Sequence, residues 1–216
     1  MKNNRSIQRC LSILRAFADQ PFPSLAELAA AVDLPRPTVL RFLCTLQEEG
    51  YVQKEAARWR LTPRVLEIGF AALQGAGMNE QIQAVLQNLA DLCSGTANFG
   101  EGDHDRVVIL GRALALEERR RLYVMNLRVG SALPRDKSAL GMALALTPAE
   151  HSVLHYPEGN HISIAVPLPG TGPRQFALGI SASITDWTEE KLNHEILPVL
   201  FEKARHIALL IQVGGD

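Results

Sequence analysis

The stretch SLAELAAAVDLPRPTVLRFLCTLQEE, residues 24–49, predicts two helices joined by a tight turn. Ser24 and Glu27 form a capping-box pattern, in which a hydroxyl and a carboxylate bind the exposed amides at a helix start. The first helix is short, about residues 25–32, and the second runs over residues 36–49, with prolines near its first turn, where a missing amide costs little. A short helix, a tight turn and a longer helix together form a helix-turn-helix.

The second helix separates its side chains into an apolar side and a small polar side. At about 100° per residue, the apolar sector contains Val39, Phe42, Leu43 and Leu46. The opposite side contains Pro37, Arg41, Cys44 and Glu48, with Thr38 and Leu40 at its flanks. A face that carries one arginine suits the DNA major groove, because a guanidinium can bind both acceptors of guanine. Arg36 lies at the helix start, where a phosphate is also favoured.

The flanking segments complete a small N-terminal domain. Apolar residues at helical spacing predict an amphipathic helix over residues 6–18, and Gly50 suits a left-handed helix stop. Residues 51–54 and 58–61 then predict a basic two-stranded hairpin, typical of a wing that contacts phosphate or the minor groove. The predicted DNA contacts are Arg9, Ser24, Arg36, Pro37, Thr38, Arg41, Lys54, Arg58 and Arg60.

Charge and composition agree with this prediction. Residues 1–75 carry a formal charge of +3 and the remainder −4, within a whole-chain charge of −1, which favours nucleic acid as a partner of the N-terminal end. The three cysteines lie far apart and form no CxxC motif, which suits a reducing compartment. The N-terminus lacks the apolar stretch of a signal peptide, and there is no run of about eighteen apolar residues. We therefore expect a cytoplasmic protein with no membrane partner.

The pattern by itself leaves two interpretations of the N-terminal domain open. Three helices and a hairpin can bind DNA, and small helical domains of this shape also serve as structural subdomains or bind protein. The arginine on the polar helix face and the basic hairpin favour DNA binding.

A resemblance to a known family makes the prediction more specific. The segments that carry it are Ser6–Arg9, Leu11–Leu14, Ser24–Ala29, Leu34–Leu43, Leu46–Val52 and Trp59–Gly69. Together they resemble the IclR family of bacterial transcriptional regulators, including the aromatic-Arg-Leu strand and the Leu-Glu-aliphatic-Gly end of a linker helix. One departure is Pro37, where the family usually has Ser or Thr, so a hydroxyl suited to phosphate is missing.

The resemblance implies an α+β fold with three parts. These are a winged helix-turn-helix over residues 1–62, a linker helix and hinge over residues 63–78, and a GAF-like α/β sandwich with an antiparallel sheet over residues 79–216. The implied function is a sequence-specific DNA-binding regulator that responds to a small organic effector, without catalytic residues or a cofactor. The implied partners are double-stranded operator DNA, an aromatic or short carboxylic acid, and further copies of the chain in a homodimer or a tetramer built from dimers.

The C-terminal part resembles the family's effector domain at three segments. Residues 129–134 and 138–145 resemble the loop and helix that line the ligand pocket, and residues 159–167 resemble a strand that forms another wall. The effector contacts implied are Phe99, Gly130, Ser131, Ala132, Leu133, Ser138, Leu140, Gly141, Ser163 and Ile164. Met142 stands where Lys is usual, and the stretch between residues 154 and 159 is much shorter than in the family. This leaves open a smaller pocket, or a C-terminal domain that only dimerises and binds no ligand.

A metal site is the weaker of the remaining possibilities. His151 and His155 lie four residues apart on a predicted helix that begins after Thr147, so both could reach one ion. No third ligand is evident nearby, and we therefore expect a solvated helix face and no bound metal.

Overall fold

The computed structural model describes residues 3–120 and 127–213. The chain forms two compact units, Met1–Ala72 and Leu73–Asp216. The division at residues 62 and 78 expected from the sequence remains a prediction. None of the helices in the described ranges combines the length and the apolar character that crossing a bilayer requires.

The first unit contains the predicted helices and hairpin. Its elements are α1 (Arg5–Asp19), α2 (Leu25–Ala31), α3 (Arg36–Glu48), β1 (Val52–Glu55), β2 (Arg58–Leu61) and α4 (Val65–Gly75), the last of which ends beyond the unit boundary. The predicted helix-turn-helix and wing are therefore confirmed, with ends that shift by one or two residues.

Local signals in the sequence explain these element ends. The capping box of α2 is formed: the Ser24 amide donates to Glu27 Oε2 at 2.6 Å, and the Glu27 amide donates to Ser24 Oγ at 3.3 Å. The hydrogen bond from the Ser24 amide is the main reason that the pKa of Glu27 falls to about 2. Gly50 follows α3 with a φ of +79°, the left-handed conformation that glycine adopts without strain.

One apolar cluster holds the first unit together. Every helix up to α3, and both strands, contribute to it; its buried members are Ile13, Phe17, Leu28, Ala29, Val39, Leu43, Leu46, Val52 and Trp59. The same residues that repeat at helical spacing in the sequence fill this core, because a surface helix buries one stripe of side chains.

The hairpin is also attached to the start of α2. The Trp59 amide donates to the Pro23 carbonyl at 2.8 Å, and Arg58 Nη1 donates to Phe22 O at 2.6 Å and to Glu27 Oε2 at 3.3 Å. The carboxylate that caps α2 therefore also holds the hairpin in place.

The second unit consists of one sheet with helices on both faces. Its elements are α5 (Glu80–Leu92), β3 (Thr96–Asp103), β4 (Arg106–Leu114), α6 (Leu116–Arg120), β5 (Ala132–Pro134), α7 (Ala139–Ala143), β6 (Ser152–Tyr156), β7 (His161–Pro167), β8 (Phe176–Ser183), α8 (Glu189–Lys191) and α9 (Leu197–Val213). The strand order is β5-β4-β3-β8-β7-β6, and every neighbouring pair is antiparallel. The predicted α+β class, with an antiparallel sheet domain after the winged helix-turn-helix, is confirmed.

Each face of this sheet has its own apolar core. Helices α5 and α9 cover one face and bury a large cluster that includes Leu86, Phe99 and Leu178. Helix α7 covers the other face and forms a smaller cluster that includes Ile109 and Leu140. Because side chains alternate between the faces of a strand, neighbouring residues of β7 belong to different cores, Ile164 to the large cluster and Ala165 to the smaller one.

The predicted helix at His151 and His155 is wrong. The Glu150 carboxylate does accept hydrogen bonds from the Thr147 amide at 2.8 Å and hydroxyl at 2.9 Å, but the chain then enters β6, in which Ser152 pairs with Ala165 of β7. A strand rises about 3.3 Å per residue, so residues four apart are separated by about 13 Å. The two histidines therefore cannot share a metal ion, and His155 Nε2 instead lies 3.0 Å from Glu189 Oε2.

Candidate nucleic-acid interface and ligand pocket

Helix α3 buries one side and exposes the other, as its sequence predicts. Val39 and Leu43 are completely buried, whereas the polar side is exposed. The exposed residues of α3 are Arg36, Pro37, Leu40, Arg41, Cys44, Thr45, Gln47 and Glu48, and Thr38 is half-buried. Pro35 precedes the helix without a side-chain cap, but Pro37 has no amide hydrogen and the Thr38 amide already donates to the Pro35 carbonyl at 2.9 Å, so the Arg36 side chain is the group at this helix start that suits a phosphate.

The two arginines of this surface are available for an external partner. Within residues 3–120 and 127–213, neither Arg36 nor Arg41 has an ion-pair or hydrogen-bond partner for its guanidinium. The hydroxyl of Thr45, one turn further along α3, donates back to the Arg41 carbonyl at 3.2 Å. The guanidinium of Arg41 can therefore bind base edges or phosphate without first losing an internal bond.

The basic residues of the hairpin are engaged within the protein. Arg58 binds Phe22 O and Glu27, and Arg60 forms an ion pair with Glu55 and donates to Gln53 Oε1 at 3.0 Å. Exposed ion pairs contribute only about 0–1 kcal/mol, so DNA phosphates can replace these partners at small cost.

The remaining predicted DNA contacts are placed in different surroundings. Lys54 lies over the Trp59 ring, 5.9 Å from its centroid, and Arg9 is exposed on α1. The Ser24 hydroxyl already caps α2. Its assignment, like those of the other DNA contacts, remains a prediction.

Arg64 has a structural role at this surface that the sequence did not indicate. Its Nη1 donates to the Glu49 carbonyl at 2.9 Å, and its guanidinium lies 5.5 Å from the Tyr51 ring centroid. A cation is favourable at a helix C-terminus, so Arg64 fixes the end of α3 to the segment that leads into α4.

A small cavity lies between α7 and the sheet of the second unit. Its volume is about 30 Å³, room for one or two water molecules. The residues that line it are Asn98, Leu127, Leu133, Ser138, Ala139, Leu140, Tyr156, Ser163, Ile164, Ala165, Gly179, Ile180 and Ser181. Of the predicted effector contacts, Leu133, Ser138, Leu140, Ser163 and Ile164 are brought together here.

The assignment of Phe99 to this pocket is wrong. Phe99 is completely buried on the opposite face of the sheet, where its ring stacks on Phe176 with centroids 5.5 Å apart. Because side chains alternate along β3, the neighbouring Asn98 faces the cavity instead.

Four further predicted contacts lie outside the lining of the cavity. Gly130 and Ser131 lie in the turn before β5, where Ser131 Oγ accepts a hydrogen bond from the Arg128 amide at 2.9 Å, and Ala132 is the first residue of β5. Gly141 is packed against the backbone of Arg135, and a Cβ at this position would lie 2.4 Å from Arg135 Cα. These residues shape the loop and helix around the cavity.

The cavity presents hydrogen-bond donors to a ligand. Ser163 Oγ and Ser181 Oγ lie 2.6 Å apart, so one hydroxyl donates to the other and the second keeps its own hydrogen. Asn98 accepts a bond from Arg112 Nη1 at 2.6 Å and donates to Thr96 Oγ1 at 3.4 Å, which leaves one amide hydrogen. Such donors suit a carboxylate or carbonyl oxygen.

Arg112 and Ser138 contribute in different ways. Partial burial lowers the pKa of Arg112 and the nearby Glu118 carboxylate acts in the opposite direction; the guanidinium remains charged and fixes the Asn98 side chain by its hydrogen bond. The Ser138 hydroxyl accepts from the Gly141 amide at 3.1 Å and donates to the Pro134 carbonyl at 2.8 Å, so it caps α7.

Sequence reasoning missed Asn98, Arg112 and Ser181. The available signal was a polar residue between two non-polar neighbours in each of three strands, because a buried polar group needs a partner. Among the described residues, no group of three or more His, Cys, Asp or Glu side chains is arranged to hold a metal ion.

Known proteins resemble this chain both in its first unit and over almost its whole length. The model of the IclR helix-turn-helix domain matches residues 6–56. The Pca regulon regulatory protein of Pseudomonas putida is 24% identical to this chain over an alignment of 242 positions, gaps included. The alignment covers 94% of this chain and 82% of that protein. Other relatives are matched over only about half of their length, for example 55% of the transcriptional repressor IclR of Escherichia coli strain K12 at 26% identity.

Solved structures share the fold over almost the whole chain. An IclR family transcriptional regulator from Brucella abortus has a TM-score of 0.77 at 22% identity, with 96% of this chain and 93% of that chain covered. An IclR homolog from Microbacterium hydrocarbonoxydans, complexed with 4-hydroxybenzoate, has a TM-score of 0.71 at 18% identity, with 97% and 98% covered.

Proposed function

Because the chain belongs to the IclR family of DNA-binding transcriptional regulators, we propose that it binds operator DNA through the exposed face of α3 and the β1–β2 hairpin. The observation that carries this proposal is the exposed, unpaired Arg41 on a helix whose other side is completely buried at Val39 and Leu43. Arg41 reads a base edge in the major groove, and Arg36 binds a phosphate at the helix start. The protein acts in the cytoplasm, where this DNA lies.

The regulator acts as a homodimer or as a tetramer built from dimers. A single helix and wing make few phosphate contacts and bind weakly. Two copies on one DNA molecule reach successive major grooves and combine their affinities. The operator is accordingly a pseudo-palindrome, whose half-sites are spaced by about one helical turn or a multiple of it.

A small organic acid is the effector, and the cavity beneath α7 is its site. The donors of Ser163, Ser181 and Asn98 support this class of ligand, and an IclR homolog has been solved with 4-hydroxybenzoate. At about 30 Å³ the cavity is too small for an aromatic ring in this conformation, so an aromatic acid requires it to open. The effector shifts DNA affinity only if it binds the two states unequally.

Gel shifts on DNA selected by the wild-type protein from a random library test the DNA-binding proposal. We expect Arg41→Ala to weaken binding to the selected sequence by about 5- to 150-fold, and to weaken binding to random DNA less. Arg106→Ala removes an exposed arginine of the second unit and serves as the matched control. Unchanged affinity of the Arg41 variant for both DNAs would exclude this residue as the reader.

Thermal-shift measurements with acetate, pyruvate, benzoate and 4-hydroxybenzoate test the effector proposal. A ligand at 100 times its Kd stabilises the folded state by about 2.7 kcal/mol, which a melting curve resolves. We expect an acid to raise the melting temperature of the wild type and to have a smaller effect on Ser163→Ala. If none of the acids stabilises the wild type, the result contradicts the effector proposal and favours the alternative, in which the second unit serves only for dimerisation.

A further inference from the structure

Arg174, in the connection between β7 and β8, binds three different parts of the second unit. Its Nε and Nη2 donate to Oε1 and Oε2 of Glu101 at 2.6 and 2.7 Å. Its Nη1 donates to the Gly75 carbonyl at 2.8 Å, and its guanidinium lies 4.8 Å from the Phe176 ring centroid. The planar fork of arginine allows all these contacts at once, which a lysine could not make.

The contact with Gly75 falls on the end of α4. Gly75 is the last residue of this helix, and the final carbonyls of a helix lack partners within it. A cation at this point is also favoured by the helix dipole. Arg174 therefore fixes the last turn of the helix that begins in the first unit at Val65.

The contact with Glu101 falls on the strand that also lines the cavity. Asn98, three residues earlier on β3, faces the cavity, whereas Phe99 and Glu101 face the other side of the sheet. Phe99 stacks on Phe176, the same ring that Arg174 covers. One strand thus contacts the cavity on one side and the arginine on the other.

The position of Arg174 is well determined by its surroundings. The Arg174 carbonyl accepts a bond from Thr171 Oγ1 at 2.6 Å, and the next carbonyl, of Gln175, accepts one from the Gly102 amide at 2.8 Å. The Glu101 side chain is only 24% exposed, so its ion pair is less screened than most surface pairs. A displacement of β3 at the cavity therefore moves the carboxylate that orients the guanidinium.

We propose that Arg174 is the positioning residue that couples occupation of the cavity to the conformation of the last turn of α4. Occupation of the cavity displaces β3, the Glu101 carboxylate moves with the strand, and the bond from Arg174 to Gly75 weakens or tightens. The inference rests on the proposed function only in treating the cavity as the effector site.

Hydrogen exchange of the full-length protein tests the contact itself. The reporting amides belong to Ala76, Gly77 and Met78, which donate to carbonyls of the last turn of α4. We expect Arg174→Gln to speed their exchange by about tenfold, because a hydrogen bond to a charged group is lost. Arg106→Gln, which removes a weakly paired arginine elsewhere on the same sheet, should leave them unchanged. Unchanged rates in Arg174→Gln would overturn the proposal.

Overfilling the cavity tests the coupling without a known ligand. Ser163→Leu adds two heavy atoms, which occupy a cavity with room for one or two water molecules and crowd its walls. It should change exchange at residues 76–78 in the wild-type background but not in the Arg174→Gln background. Additive effects in the double variant would exclude transmission through Arg174. Ser181→Val, which adds less volume, replaces Ser163→Leu where the latter does not fold.

This experiment remains separate from the tests of function. It requires neither an effector nor an operator. A failed ligand screen and a failed coupling are therefore distinguishable results.

Discussion

The same substitution, glycine to alanine, should have opposite effects at two helical positions. At Gly141 in α7, the new Cβ would lie 2.4, 2.6 and 2.8 Å from the Cα, O and C atoms of Arg135. At Gly69 in α4, nothing lies within 4 Å of the new atom. Alanine stabilises a helix interior by about 0.8–1.0 kcal/mol relative to glycine, so only the surroundings can reverse the sign.

The expected magnitudes follow from these distances. The atoms close to Gly141 belong to the backbone, so α7 must separate from the Arg135 turn, at a cost of about 1–3 kcal/mol or more for overpacking. After the helix-propensity gain is subtracted, we expect Gly141→Ala to lose about 0–2 kcal/mol, toward the upper end because all three close atoms belong to the backbone. We expect Gly69→Ala to gain about 0.5–1 kcal/mol.

The two tryptophans allow each unit to be followed separately. Trp59 is buried in the first unit and Trp187 in the second, where its Nε1 donates to the Cys93 carbonyl at 3.0 Å. In a Trp59→Phe background, urea unfolding followed by the fluorescence of Trp187 reports the second unit alone. If Gly141→Ala is more stable than the parent in this assay, the close packing of α7 on residue 135 is refuted.

Three further predictions concern single side chains. Leu43→Ala should destabilise the first unit by about 2–5 kcal/mol in urea unfolding, because a fully buried leucine leaves a cavity; a loss below 1 kcal/mol would contradict its burial. The folded pKa of Glu27, about 2, lies below its ordinary value of 4.5, so its stabilising effect is present above about pH 4.5 and is lost as the pH falls toward 2. Glu27→Gln should therefore flatten this part of the profile of stability against pH. Burial raises the pKa of Cys93 to about 12, so a thiol reagent at pH 8 should label the exposed Cys44 rapidly and Cys93 only after unfolding.

The parts of the fold that could be predicted from sequence depend on short-range signals. Ser24 and Glu27 mark the start of α2 and Gly50 marks the end of α3, because each signal acts within one turn of a helix. The error at residues 151–155 has the same origin. Thr147 and Glu150 do form the local hydrogen bonds of a helix start, but pairing of Ser152 with β7, thirteen residues away, determines the strand.

The cavity was harder to predict because its walls come from distant strands. Asn98 and Arg112 lie opposite each other only because β4 carries one extra residue, Leu110, between the partners of Gly100 and Phe99. Gly100 and Gly111 flank that irregularity, but a glycine in a strand is only a general sign of a bulge and does not fix which residue is extra. Ser163 and Ser181 likewise meet through the register of β7 and β8, which sequence periodicity does not specify.

The attachment of the hairpin to the start of α2 affects the kinetics of association. Because Trp59 and Arg58 bind backbone carbonyls before α2, the hairpin and the α3 surface are already in place in the free protein. No loop has to be ordered at the moment of docking, so little conformational entropy is lost there. The on-rate should therefore be governed by diffusion and charge, and it should fall as salt is added.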